Sequence, residues 1–135
     1  MSRALNDLCP RFRPLAMEII ARVSEAKVPV MIVDTIRTEA EQLEALSTGV
    51  SWTTRSKHLP QVECCNLSHA IDIAPYFVFN LHGAKKLQWD AEDPVWQIIR
   101  RVAQSLPDVK WGVVIGGKQV DPGHIEYRPV TPITM

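Results

Sequence analysis

Four polar side chains between positions 58 and 124 have the types and the order that metal-assisted hydrolysis requires. His58, Asp72 and His124 offer two imidazoles and one carboxylate, and a catalytic zinc ion takes three protein ligands of this kind with one position open for water. Asp121 supplies a second carboxylate, the type of group that such a site uses as an acid and base without binding the metal. The residues therefore predict a zinc site with Asp121 beside it.

The short segment from Asp121 to His124 is suited to hold both of its end residues toward one point. Pro122 stiffens the turn, and Gly123 allows close approach of the backbone. Zinc lowers the pKa of a bound water from 15.7 to about 7. A nearby carboxylate can accept the proton of that water and pass it to a leaving amine. Hydrolysis of an amide bond is the reaction that these groups allow.

The spacing of apolar residues predicts the elements that position this site. Thr38 and Glu41 have capping-box spacing at the start of the second helix, and Gly116-Gly117 is expected to form the tight turn between the last two strands. The predicted helices occupy residues 11–26, 39–47 and 94–106. The predicted strands occupy residues 28–33, 70–74, 111–115 and 124–127. We therefore expect an α+β domain, with helices packed on a small, mainly antiparallel sheet.

Length and composition are those of one ordinary globular domain. The chain has 135 residues, with 46% hydrophobic and 22% charged residues. Its 15 basic and 15 acidic residues give a formal charge of zero, which offers no electrostatic support for nucleic acid or an anionic membrane as a partner. No apolar run reaches the roughly 18–20 residues of a membrane span. Asp7 lies where a signal peptide would be apolar, so we expect synthesis in the cytoplasm without a signal peptide.

The cysteines do not form a disulfide pattern. Cys9, Cys64 and Cys65 are odd in number and two of them are adjacent, which indicates reduced thiols. We do not expect a metal site at Cys64 and Cys65, because adjacent side chains rarely converge on one tetrahedral ion.

Several motifs resemble those of a known family. Ser56-x-His58, Ala70-x-Asp72 and Asp121-x-x-His124 are similar to the signatures of the D-alanyl-D-alanine carboxypeptidase-like zinc peptidases. Within that group the chain looks most like the L-alanyl-D-glutamate endopeptidases among phage endolysins. Further matching segments, in the family's order, are Ile36-Arg37-Thr38, Glu41-Gln42 and Trp111-Gly112.

The resemblance implies a role for each matched residue. His58, Asp72 and His124 would bind Zn²⁺, and Asp121 would be the general base and acid. Arg37 would be a second catalytic residue that steadies the substrate carbonyl or carboxylate, since a guanidinium binds an oxyanion in bidentate fashion. Substrate binding would involve Arg37 and Ser56.

The resemblance also implies a fold, a substrate and a place of action. The fold would be of the hedgehog and D-Ala-D-Ala peptidase type, in a single zinc peptidase domain over residues 1–135. The partner would be the stem peptide of peptidoglycan, cut between L-alanine and D-glutamate by a monomer. The chain would reach the cell wall after holin-type release or lysis.

Some assignments have alternatives. His58 and Asp72 lie fourteen residues apart, further than is usual in the family, so residues 60–67 look like an insertion and His69 is a rival for the first ligand position. Glu126 shares a strand face with His124 and is an alternative base or a supporting partner for a ligand. The activity could instead be that of a D,D-carboxypeptidase or dipeptidase. The chain could also be a non-catalytic, zinc-stabilised module that binds the cell wall.

Overall fold

The computed structural model of the chain describes residues 2–48, 56–62, 64–76 and 87–129. Over these residues the chain combines α-helices with an antiparallel sheet, which confirms the predicted α+β class. In chain order, the elements are a 3-10 turn at Leu5–Asp7, α1 at Arg13–Glu25, β1 at Val30–Asp34, α2 at Glu39–Ser47, β2 at Ala70–Pro75, α3 at Val95–Gln104, β3 at Val109–Trp111, β4 at Val114–Ile115, β5 at Lys118–Gln119 and β6 at His124–Tyr127.

Four strands form the main sheet, in the order β1-β2-β6-β3, and every neighbouring pair is antiparallel. Asp72 in β2 lies directly opposite His124 in β6 and opposite Asp34 in β1. A register shift in β1 between Ile32 and Asp34 brings Asp34 into this row. Three polar residues thus lie side by side across three adjacent strands.

The two faces of the sheet have different surroundings because side chains alternate along a strand. Ile71 of β2 pairs with Ile125 of β6, and both are buried in the hydrophobic core. This core also contains one face of each flanking helix, represented by Ile19 of α1 and Ile99 of α3. Asp72 and His124 are the next residues along their strands and therefore point to the other face. Helices α1 and α3 thus support the sheet from one side, and the polar row lies on the opposite side.

The helix starts follow the predicted capping closely. The Glu41 amide donates to the Thr38 hydroxyl at 3.1 Å, and the Thr38 amide donates to the Glu41 carboxylate at 3.0 Å, which confirms the capping box. The third helix begins at Val95, one residue after the predicted start, and the Asp93 carboxylate accepts a hydrogen bond from the Val95 amide at 2.9 Å. None of the helices in the described ranges is long and apolar enough to cross a lipid bilayer.

The prediction that Gly116-Gly117 connects a strand at residues 111–115 to the strand at residues 124–127 is wrong. Gly112 has a φ of +74°, and the chain leaves the main sheet there, so β3 ends at Trp111. Gly116-Gly117 joins β4 to β5 in a separate two-stranded ribbon, while β3 itself pairs with β6. The predicted strand over 28–33 also begins later, at Val30, because the Val28 amide donates back to the Val23 carbonyl at 3.1 Å.

Gly123 makes a backbone contact that no other residue type can make without a shift. Its carbonyl accepts a hydrogen bond from the Ile73 amide at 3.0 Å. A Cβ atom at this position would lie 2.3 Å from the Ile73 carbonyl oxygen. The predicted close approach of the backbone at Gly123 is therefore confirmed.

We expect Gly123→Ala to lower the free energy of unfolding by about 1–3 kcal/mol, because the methyl group must displace the backbone of β2. Gly116→Asn is the matched control: a Cβ there meets nothing within 4 Å, and asparagine tolerates the φ of +60°. Chemical denaturation measures both variants. Equal stability of the two would contradict the steric explanation.

Candidate metal centre

Asp72 and His124 are brought together by the pairing of the two central strands. Their Cα atoms are direct partners in the β2–β6 ladder. The His124 Nδ1 atom lies 3.0 Å from the Asp72 Oδ1 atom. Two of the three predicted ligands are therefore placed by sheet register, although 52 residues separate them in the sequence.

His58 comes from the loop before β2 and is positioned by its own hydrogen bonds. Its backbone amide donates to the Ser56 hydroxyl at 3.1 Å, and its Nδ1 atom lies 2.6 Å from the Thr35 carbonyl oxygen. The side chain is fully buried, and its ring lies edge-on to the His124 ring with 5.3 Å between the centroids. Ser56, predicted to bind substrate, here orients the first ligand.

The donor atoms of His58, Asp72 and His124 all lie within 4.8 Å of one another. Ligands at about 2.0–2.2 Å from a tetrahedral zinc ion lie roughly 3.3–3.6 Å apart. The His58 Nε2 atom lies 3.1 Å from the Asp72 Oδ2 atom, yet it is buried and has no hydrogen-bond partner among the described residues. A buried nitrogen without a hydrogen bond, facing a carboxylate and a second imidazole, fits a shared cation. The residues therefore fit zinc.

The hydrogen bonds on the far side of each imidazole fix which nitrogen faces the centre. The Nδ1 of His58 donates to the Thr35 carbonyl oxygen, so its Nε2 is the nitrogen that faces Asp72. The Nε2 of His124 lies 3.0 Å from the Glu126 carboxylate, which leaves its Nδ1 to face Asp72. Glu126 is thus in the position of a supporting partner that orients a ligand.

The charges in the site shift several pKa values. Burial by itself would raise the pKa of Asp72, but His58 and His124 outweigh burial and lower it well below its usual range. Burial alone would lower the pKa of His124, but hydrogen bonds to Asp72 and Glu126 raise it to about 10. The imidazole of His124 therefore holds a proton between two carboxylates, and a metal ion would compete with that proton.

Asp121 lies within electrostatic range of the three candidate ligands. Burial, and secondly the negative charge of Asp72, raise the pKa of Asp121 to about 6. Its backbone amide donates to the Gln119 side-chain oxygen at 2.9 Å, which holds the start of the turn to His124 in place. A fixed carboxyl group with a pKa near neutrality can both accept and return a proton at neutral pH.

Arg37 is buried behind the candidate ligand Asp72. Its guanidinium is hydrogen-bonded to Asp34, donates to Gln42 at 3.0 Å and lies 3.5 Å from the Asp72 carboxylate. Asp34 was not identified from the sequence as part of the site, and Gln42 was noted only as part of the matched segment Glu41-Gln42. The position of Asp34 at the end of a buried apolar strand was the signal that could have indicated it.

His69, the rival for the first ligand position, lies in a different group. Its Nε2 atom is 3.9 Å from the Cys65 sulfur, and its ring packs edge-on against Tyr127. Burial, and secondly Lys57, lower the pKa of His69. The structure thus groups His58, and not His69, with Asp72 and His124.

Two solved structures share this fold. One is the Serratia marcescens L-Ala D-Glu endopeptidase ChiX, with a TM-score of 0.59 and 22% sequence identity over 91% of this chain and 82% of that chain. The other is the vancomycin-resistance D,D-dipeptidase VanXYg in complex with a D-Ala-D-Ala phosphinate analog, with a TM-score of 0.52 and 17% identity over 91% of this chain. The match covers 51% of the dipeptidase, so this chain spans about half its length.

Comparison with protein-family models and with curated proteins gives no match. The likeness to the two solved structures confirms the predicted D-Ala-D-Ala peptidase-like fold.

We expect Glu126→Ala to weaken zinc binding by about 10–100-fold, because His124 loses the partner that fixes its tautomer. Glu126→Gln keeps an acceptor oxygen for the imidazole N–H and should recover most of the affinity. Competition with a chromophoric chelator measures both. Equal affinity of Glu126→Ala and the wild type would show that Glu126 does not orient the ligand.

We expect Arg37→Ala to lower the free energy of unfolding by about 3–5 kcal/mol, because it leaves the buried Asp34 carboxylate without its cation. Arg101→Ala, on the last turn of α3 and exposed, is the control and should change stability by less than about 0.5 kcal/mol. A loss in Arg37→Ala no larger than in the control would contradict a buried ion pair.

Proposed function

We propose that the chain is a zinc peptidase that hydrolyses the peptide stem of peptidoglycan, at the bond between L-alanine and D-glutamate. The observation that carries this proposal is the convergence of His58, Asp72 and His124 within 4.8 Å. One nitrogen of each imidazole faces the Asp72 carboxylate, and the charges of all three residues shift the pKa of Asp121. The peptidase activities of the two structures with the same fold support the class of reaction.

His58, Asp72 and His124 would hold the metal, through the Nε2 atom, a carboxylate oxygen and the Nδ1 atom respectively. A bound Zn²⁺ supplies a Lewis acid that lowers the pKa of the attacking water and polarises the scissile carbonyl group. Glu126 and the Thr35 carbonyl keep the two imidazoles in the tautomers that this binding requires.

Asp121 would move the proton. Its carboxylate would accept a proton from the attacking water as the new C–O bond forms. The same group would then give that proton to the leaving amine as the C–N bond breaks, which restores the carboxylate. Water adds across one amide bond, and the products are a carboxylic acid and an amine.

Arg37 and Ser56 would each have two functions, substrate binding and the positioning of a metal ligand. We propose that Arg37 steadies the substrate carbonyl and that Arg37 and Ser56 bind substrate. Their contacts within the chain also support positioning: Arg37 lies against Asp72, and the Ser56 hydroxyl accepts from the His58 amide.

The choice of bond has a second candidate. The match with the endopeptidase covers 82% of that chain and supports cleavage after L-alanine, whereas the match with the D,D-dipeptidase supports release of D-alanine. We favour the endopeptidase, because this chain matches it over more of its length and with the higher TM-score.

We also propose that the 135 residues act as one monomeric domain that degrades the cell wall during phage-type lysis.

Digestion of purified peptidoglycan tests the proposal directly. We expect new amino-terminal D-glutamate in the wild-type digest, detected by mass spectrometry, and loss of the activity on removal of zinc with a chelator. Release of free D-alanine without new amino-terminal glutamate would instead establish the D,D-peptidase. A digest that proceeds unchanged in the presence of the chelator would contradict a zinc mechanism.

We expect Asp121→Asn to lower kcat by about 10²–10⁴-fold with unchanged zinc content, because the amide cannot accept the proton. Glu92→Gln, which alters an exposed carboxylate before α3, is the matched control and should retain full turnover. Full turnover in Asp121→Asn would transfer the acid/base role to another group, with Glu126 the first alternative.

A further inference from the structure

A second set of metal-binding side chains lies outside the site described above. The sulfur atoms of Cys9, Cys64 and Cys65 and a ring nitrogen of His69 all lie within 4.8 Å of one another. The Cys9 and Cys64 sulfurs are 3.5 Å apart, and the Cys65 sulfur lies 3.9 Å from the His69 Nε2 atom. The three cysteines are free thiols. Soft sulfur donors and one imidazole are therefore gathered at a single point.

The two adjacent cysteines converge because the chain turns tightly around one carbonyl group. The amides of Cys64, Cys65 and Asn66 all donate to the Gln61 carbonyl oxygen, at 3.0, 3.2 and 3.0 Å. Asn66 completes the turn with a φ of +57°, a conformation that asparagine tolerates better than most residues. This turn brings neighbouring side chains together, which an extended segment would not do.

The other two donors come from elements that flank this turn. Cys9 lies four residues before the first residue of α1, Arg13, and its amide donates to the Ser68 carbonyl at 2.8 Å. The amides of Phe12 and Arg13 donate to the Cys9 carbonyl oxygen, both at 2.9 Å, which fixes Cys9 against the start of α1. His69 lies immediately before β2, and its amide donates to the Lys57 carbonyl at 2.9 Å. Backbone hydrogen bonds therefore position the elements that carry both outer donors.

We propose that Cys9, Cys64, Cys65 and His69 bind a second Zn²⁺ ion in a closed, four-coordinate structural site. Zn–S bonds of about 2.3 Å and Zn–N bonds of about 2.0–2.1 Å place tetrahedral ligands roughly 3.6–3.8 Å apart. The observed separations of 3.5 and 3.9 Å lie close to this range. All four positions are filled by protein atoms, so the site has no open position for water or substrate and is structural.

This ion would hold the insertion between His58 and Asp72 against the rest of the fold. Cys64 and Cys65 belong to the loop, Cys9 leads into α1, and His69 leads into β2. One ion would thus connect three segments, and the binding free energy would contribute to folding. The proposal does not depend on the proposed catalytic activity, because no residue of the first site takes part.

Cobalt substitution of the wild-type protein tests the site without any mutation. Co²⁺ bound by thiolates gives a sulfur-to-metal charge-transfer absorption in the near ultraviolet, whereas a His/Asp/His site gives none. We expect the reduced protein to bind two equivalents of Co²⁺ or Zn²⁺, with this absorption complete after one of them. A total of two equivalents with no charge-transfer absorption would overturn the proposal.

Two variants show which residues bind each of the two metal ions. Cys65→Ser should lose the charge-transfer absorption and one zinc, keep the second zinc, and unfold at a Tm lower by roughly 5–10 °C. His124→Ala should lose the other zinc and keep the absorption, which separates the two sites whether or not the protein is a peptidase. Unchanged zinc content in Cys65→Ser would overturn the proposal. So would a Cys9–Cys64 disulfide in protein isolated from cells, detected as a mass lower by two hydrogens.

Discussion

The antiparallel pairing of β2 with β6 determines the arrangement of the whole domain. In this ladder Asp72 lies opposite His124, and the neighbouring pair, Ile71 and Ile125, faces α1 and α3. Because side chains alternate along a strand, one register both builds the hydrophobic core and aligns two candidate metal donors. Stability and chemistry therefore depend on the same backbone hydrogen bonds.

The electrostatics of the His58, Asp72 and His124 site follow from the burial of two carboxylates on neighbouring strands. Asp34 and Asp72 lie on neighbouring strands, and Arg37 lies between them. Burial raises the pKa of Asp34, while the imidazoles lower that of Asp72. Uncompensated buried carboxylates are costly, so such a cluster is stable only with cations beside it. A divalent ion in the position between His58 and Asp72 would add to the compensation that Arg37 already supplies.

The sequence predicted the parts of the structure that depend on local signals. The capping box at Thr38 and the apolar face of α1 depend on residues a few positions apart, and both are observed where they were expected. The grouping of His58 with Asp72 and His124 was predicted from motif types and their order. It needed no knowledge of the strand order.

The features that were not predicted depend on contacts between distant segments. The ribbon of β4 and β5 forms because Gly112 turns the chain out of the sheet, and the side chain of Gln119 fills the space beside it. The cluster around Cys64 and Cys65 was not expected, because the turn around the Gln61 carbonyl is not evident from the residue types. Asp34 was likewise missed, since only the register shift in β1 brings it opposite Asp72.

His58 is attached to the domain differently from its two partners, and this has an evolutionary consequence. Its position depends on Thr35 and Ser56 and not on the β2–β6 ladder, so the segment that follows it can grow or shrink without moving the imidazole. A deletion of one residue inside β2 would instead turn Asp72 away from His124. Variation in length is therefore tolerated in the loop that follows His58 and excluded within β2.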